Sequence, residues 1–229
     1  MIALGADALA ASLLILTALL AVLAVRGLLR YAATRAPVQL MWGLGILCAT
    51  AAMAIEVAVY LGVVLVPILQ AYVFLSAAIV GVLSLGATRV LRRPRVERGY
   101  RAYIAGTTAL VAAASFLTPL STGMVHDGII TGDPPLLLLV LSTLVTGPAT
   151  VVLLTASAVS LRRDRRWQTL LMIAGALILG AGGTLYIASF PVALYYAEFL
   201  GILLLFFGLV SLPAASPARQ PAGTPRPAN

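Results

Sequence analysis

The chain contains no lysine, a single cysteine (Cys48), a single histidine (His126) and only seven acidic residues in 229. Each scarcity removes a class of chemistry. Without lysine there is no Schiff base. One cysteine forms no intramolecular disulfide and builds no multi-cysteine metal site. One histidine excludes haem held by paired intramembrane imidazoles, and it leaves a serine or cysteine nucleophile within the apolar runs without a base. Charged residues make up 10% of the chain, against about a quarter in a soluble domain.

What is present is hydrocarbon. Hydrophobic residues reach 62% and the mean hydropathy is +1.07. This is the composition of an integral membrane protein. Spans of about 20 residues each leave no room within the chain for a separate soluble catalytic domain, so a non-enzymatic protein with no cofactor is expected.

Apolar runs long enough to cross a bilayer predict helices at 5–25, 38–61, 65–88, 101–119, 135–160, 167–188 and 191–212. Pro37, Pro67, Pro134 and Pro191 fall at or near first turns, where a missing N–H is tolerated. Gly147 and Pro148 predict a bend in the fifth helix. The expected fold class is therefore all-α: a polytopic bundle of seven transmembrane helices over residues 1–212. A Pro/Ala-rich tail at 213–229 is expected to be disordered.

All fifteen arginines fall on one side of this layout. Arg26, Arg30 and Arg35 follow the first helix, and Arg89, Arg92, Arg93, Arg95, Arg98 and Arg101 surround the third connection. Arg162, Arg163, Arg165 and Arg166 separate the fifth and sixth helices; Arg219 and Arg226 are in the tail. Cytoplasmic connections retain positive charge. The expectation is a cell-membrane protein with its N-terminus outside and its C-terminus in the cytoplasm. Trp42 and Trp167 sit where interfacial anchors belong. The apolar N-terminal run is not expected to be cleaved as a signal, because its positive residues follow it. The formal charge of +8 then reads as a topology determinant that attracts anionic lipid headgroups, not as a nucleic-acid footprint.

Placing Trp42 beside Trp167 aligns two helix pairs. Pro67 and Pro191 follow at 25 and 24 residues, and Tyr72 and Tyr196 come five residues after each proline. With the fourth helix as a linker, this implies a parallel three-plus-one-plus-three repeat; chance similarity between apolar helices is the plainer account. The layout resembles the SWEET sugar transporters and the microbial rhodopsins, without their motifs: no retinal-binding lysine exists. Trp42, Gly43, Gly45 and Glu56, with the run Gly182-Gly183-Thr184-Leu185 and "YYAEFLG" at 195–201, resemble uncharacterised prokaryotic seven-helix membrane proteins. That resemblance implies no activity.

Two carboxylates lie inside expected helices. Rise per residue puts Glu198 about 10 Å and Glu56 about 7 Å below the arginine-free surface. A charge in hydrocarbon is expensive, so both should turn inward. The candidate substrate-binding set at this level is Glu56, Gln70, Tyr72, Tyr186, Tyr195 and Glu198, with Tyr60, Thr184 and Tyr196 nearby. It describes an acidic, tyrosine-lined site for a cation, a proton or a polar solute. The plainer reading is that each glutamate is protonated and hydrogen-bonded, holding helices together. His126, Asp127 and Asp133 read as a solvated loop, so no metal site is expected. Transport of a small solute or ion is the expected function. A non-transporting subunit (sensor, assembly factor or accessory chain bound to other membrane subunits) is the alternative.

Overall fold

The computed structural model describes residues 2–88, 94–126, 128–130, 134–164 and 167–187, together with Ala197, Leu200, Gly201, Leu203, Leu204 and Phe207. Of residues 2–9, 160, 163, 164, 169 and 179–187 it describes the backbone alone. Among the described residues the chain is all-α apart from one two-residue β-ribbon. Its helices are α1 (Ile2–Thr34), α2 (Pro37–Tyr60), α3 (Val66–Ala87), α4 (Pro94–Leu117), α5 (Leu136–Asp164) and α6 (Trp167–Ile187). Four of them are long and apolar enough to cross a membrane: α1 over Ala10–Thr34, α2, α3, and α5 over Leu136–Val159. In α4 the first turns carry Arg95, Glu97, Arg98 and Arg101, and uncharged sequence begins only at residue 102. The Pro/Ala-rich tail lies outside the described residues. Of the seventh expected helix only the six residues named above are described, and all six are helical.

The helix ends show why short connections suffice. α1 runs nine residues past its expected end. No proline falls between Arg26 and Thr34, and Gly27 alone does not end the helix, so Arg26 and Arg30 ride on its last turns instead of following it. The stop comes from Pro37, which pushes Ala36 into extended backbone (φ −77°, ψ 113°), and from Arg35 at φ 51°. α2 ends in a Schellman motif. The Gly62 N–H bonds the Val59 carbonyl at 2.9 Å and the Val63 N–H the Ala58 carbonyl at 2.9 Å, with Gly62 at φ 90°. Extended Leu65 and Pro67 in the first turn then start α3.

Each helix packs on its successor from α1 to α6, and α3 also packs on α5. Packing of each helix against its successor makes the order up-and-down, which brings Arg26 and Arg30 of α1, Arg95 and Arg98 of α4, and Arg162 of α5 to one end. Glycine sets the closeness of several pairs. A Cβ added at Gly27 would lie 3.0 Å from the Gly43 Cα, so α1 and α2 meet backbone to backbone. One added at Gly86 would lie 2.6 Å from the Trp42 ring, and one at Gly45 2.6 Å from Leu83. Small residues at helix contacts replace the hydrophobic drive that lipid does not supply. Leu14, Ile15, Val22, Val25, Leu29, Leu144 and Val151 point outward from α1 and α5, a surface suited to acyl chains.

The arginine-free end is closed by the α4–α5 connection. A 3-10 turn (Thr122–Met124) leads into β1 (Val125–His126) and β2 (Ile129–Ile130), paired antiparallel with Val125 opposite Ile130. Gly128, at φ 75°, lies 3.5 Å from the Tyr60 backbone by its notional Cβ. Leu120, Met124 and Ile130 are buried with Leu69, Tyr72 and Leu138 over the ends of α2 and α3. Sequence pattern alone gives a plain loop here, because two-residue strands carry no periodicity to detect.

Candidate functional site

The buried stripe of α2 runs Gly45, Ala49, Ala52, Met53, Glu56 and Val59. The spacing is helical, so the carboxylate occupies a position the pattern reserves for an apolar side chain. It lies one turn from the helix end at Tyr60, about 6 Å in by rise. α3 runs antiparallel beside it and presents Tyr72 at matching depth. The Tyr72 hydroxyl donates to Glu56 Oε1 at 2.6 Å. Glu56 is 3% exposed and Tyr72 8%. The other oxygen, Oε2, finds no hydrogen-bond partner among the described residues. Nor do these residues supply Glu56 with a cation, since the one ion pair found among them joins Arg101 to Glu97 at the opposite end of the bundle.

Gln70 shares Tyr72's helix and depth but not its direction. Two residues of helix turn a side chain by about 200°, and Gln70 accordingly faces α4. Its Nε2 donates to the Thr118 carbonyl at 3.2 Å and the Phe116 carbonyl at 3.4 Å. It thereby satisfies carbonyls that the end of α4 leaves open. Tyr186 and Thr184 lie on α6, whose backbone alone is described there; Tyr195, Tyr196 and Glu198 lie outside the described residues. Within what is described, the structure brings Glu56 and Tyr72 together and places Gln70 elsewhere. His126 is exposed on β1, Asp127 and Asp133 lie outside the described residues, and no three metal-ligating side chains cluster among those described.

Two further polar features escaped the sequence reading. On α4, Tyr100, Ile104, Thr108, Val111 and Ser115 form the inward face. Tyr100 bonds Ser84 of α3 at 2.7 Å, while Thr108 Oγ1 and Ser115 Oγ are buried without partners among the described residues. α5 continues through Pro148. Proline has no N–H for the carbonyl four residues earlier, and the Tyr103 hydroxyl supplies the missing donor to that carbonyl, Leu144 O, at 2.6 Å. A proline inside a span was a visible signal that some carbonyl needed a donor; which helix would bring it was not.

The arrangement at Glu56 gives a carboxyl anchored through one oxygen, with no partner for the second among the described residues; chemically that oxygen can take a proton, a cation or a polar group. Neither known protein families, nor characterised proteins, nor solved structures show a match to this chain.

Proposed function

We propose that the chain is a seven-helix, non-enzymatic transporter of a small solute, ion or proton in the cell membrane, with its N-terminus outside and its C-terminus cytoplasmic. The seventh helix occupies 191–212, and α4 links two parallel triplets. The polar site is in the half of the membrane away from the arginines, with Glu56 and Tyr72 at its centre and Glu198, Tyr186 and Tyr195 contributed from the last two helices. One observation supports this reading: Glu56 is almost wholly buried, and among the described residues it has neither a counter-ion nor a donor to its second oxygen. Ionisable groups in spans are rare and tend to mark solute or proton pathways. A purely adhesive glutamate would be expected to use both oxygens.

The competing reading is a non-transporting subunit held among other membrane chains. The apolar outward faces of α1 and α5 suit a protein neighbour as well as lipid. Reconstitution separates the two. Purified protein in proteoliposomes is screened for proton uptake with an entrapped pH dye, and for uptake of labelled cations and sugars. The transporter reading expects a flux that Glu56→Gln abolishes while the melting temperature in detergent is kept. A flux indifferent to that substitution, or no flux together with co-purification of partner chains from native membrane, would remove it.

A further inference from the structure

At the opposite end of α1 and α2 lies a cleft that the transport reading does not use. Its upper walls are Arg26 and Arg30 from α1 and Gln39 and Trp42 from α2. Its floor is Leu23 and Ile46, and Gly27 lies between them. The two arginines are four residues apart, so they stack on one face of α1 and point toward the same groove. The close approach of Gly27 to Gly43 brings the two helix backbones together here.

Among the described residues no acid pairs with these two arginines. Neither helix carries an acid near this end: the only acids on α1 and α2 are Asp7 and Glu56, both toward the far side of the membrane. Among the described residues neither arginine has an ion-pair or side-chain hydrogen-bond partner, and the Gln39 amide donates to none. By contrast, the Arg101 guanidinium on α4 is already engaged by Glu97. α2 begins beside the cleft at Ala36 without a side-chain cap, so its exposed N–H groups add to the positive field.

We infer that this cleft is a binding site for the phosphodiester headgroup of one anionic membrane lipid. Paired guanidinium groups match phosphate oxygens with directed, charge-assisted bonds. The Trp42 ring sits where tryptophan favours the headgroup level. Leu23 and Ile46, 5% and 6% exposed, close the bottom of the cleft as part of the apolar core, and Val22, Val25 and Leu29 on the outward face of α1 offer acyl chains an apolar surface beside it. A soluble phosphate would use the arginines but not an apolar surface. The site is therefore a defined seat for one lipid, distinct from the diffuse attraction that every basic connection exerts on an anionic surface.

The test uses full-length protein carrying Trp167→Phe, which leaves Trp42 as its only tryptophan, in phosphatidylcholine vesicles. Trace phosphatidylglycerol or phosphatidylcholine bearing a nitroxide near the glycerol is added as quencher. The lipid seat predicts that Trp42 is quenched at about fivefold lower mole fraction by the anionic probe. Arg26→Gln with Arg30→Gln should erase that preference, while Arg95→Gln with Arg98→Gln should keep it. Equal quenching by the two probes, or a preference that survives loss of Arg26 and Arg30, overturns the assignment. So does abolition of the preference by inorganic phosphate but not by chloride of equal ionic strength, which would make the ligand a free anion. Should the arginine variant not fold, native mass spectrometry of the unaltered protein decides: one phosphatidylglycerol retained at collision energies that strip phosphatidylcholine supports the seat, and equal loss of both refutes it.

Discussion

The Tyr103 hydroxyl on α4 donates at 2.6 Å to the carbonyl of Leu144 on α5, the carbonyl that Pro148 leaves without its helical donor. One residue thus repairs what another breaks, and the repair joins two helices. Where this contact faces hydrocarbon, which offers no water in exchange, an unpaired carbonyl costs more than the bond itself contributes. Tyr103→Phe is expected to destabilise the protein by about 1–2 kcal/mol. In a Pro148→Ala background, where the helix regains its own donor, the same change should cost little. Reversible unfolding in mixed micelles over the double-mutant cycle measures the coupling; additive effects would mean that Tyr103 and Pro148 act separately.

Tyr72→Phe leaves the Glu56 carboxyl, which is 3% exposed, without a hydrogen-bond partner on either oxygen among the described residues. A loss of about 1–3 kcal/mol is expected. Glu56→Leu together with Tyr72→Phe removes both polar partners and should recover most of that loss. Thermal unfolding of the single and double variants checks it. If the double variant is as unstable as Tyr72→Phe alone, the pairing is not what stabilises this contact.

Glycine tolerances should divide sharply along the sequence. A methyl at Gly86 would meet the Trp42 ring at 2.6 Å, whereas one at Gly106 meets nothing within 4 Å. Gly86→Ala forces a rigid ring or a helix to move and is expected to cost about 1–3 kcal/mol. Gly106→Ala should instead stabilise α4 by about 0.5–1 kcal/mol through helix propensity. Melting temperatures that shift in the same direction for both would contradict the packing described between α2 and α3.

At the α2–α3 turn only backbone is at stake. Gly62 has open space around it but sits at φ 90°, where an L side chain is strained. Gly62→Ala should cost about 1–2 kcal/mol with no change in the helix contacts, and D-alanine introduced there by semisynthesis should restore stability. An L-alanine variant as stable as the parent would show that the Schellman geometry is not held.

Much of this architecture was legible from the order of residues. Apolar length located the helices from α2 to α6 to within a few residues, apart from the charged first turns of α4 and the last turn of α5. The single-sided arginines anticipated which helix ends lie together. The failures have physical causes. Arginine stopped the first helix on paper because it marks the edge of hydrocarbon; it is also a good helix former, so α1 continues until Pro37 imposes a stop. Gln70 was grouped with Tyr72 by depth, and depth is blind to direction around an axis. Glu56 and Tyr72 were both named as candidates, but their contact depends on how α2 and α3 are rotated, a matter of the glycines between them. The Tyr103 bond was hidden for the same reason: Pro148 announces a need, while its answer lies 45 residues away on another helix.

Leu120, Met124 and Ile130 form a stopper of hydrocarbon over the Glu56 end of the bundle. Releasing three such side chains to water takes on the order of 5 kcal/mol at roughly 1.5–3 kcal/mol each. At rest, then, an unplugged molecule would be about one in several thousand. Any visitor to that carboxyl from this end has to wait for a rare opening or bring enough affinity to hold it ajar. Under the proposed transport role, shortening Met124 to alanine should ease access to Glu56 from this end without touching the acid itself.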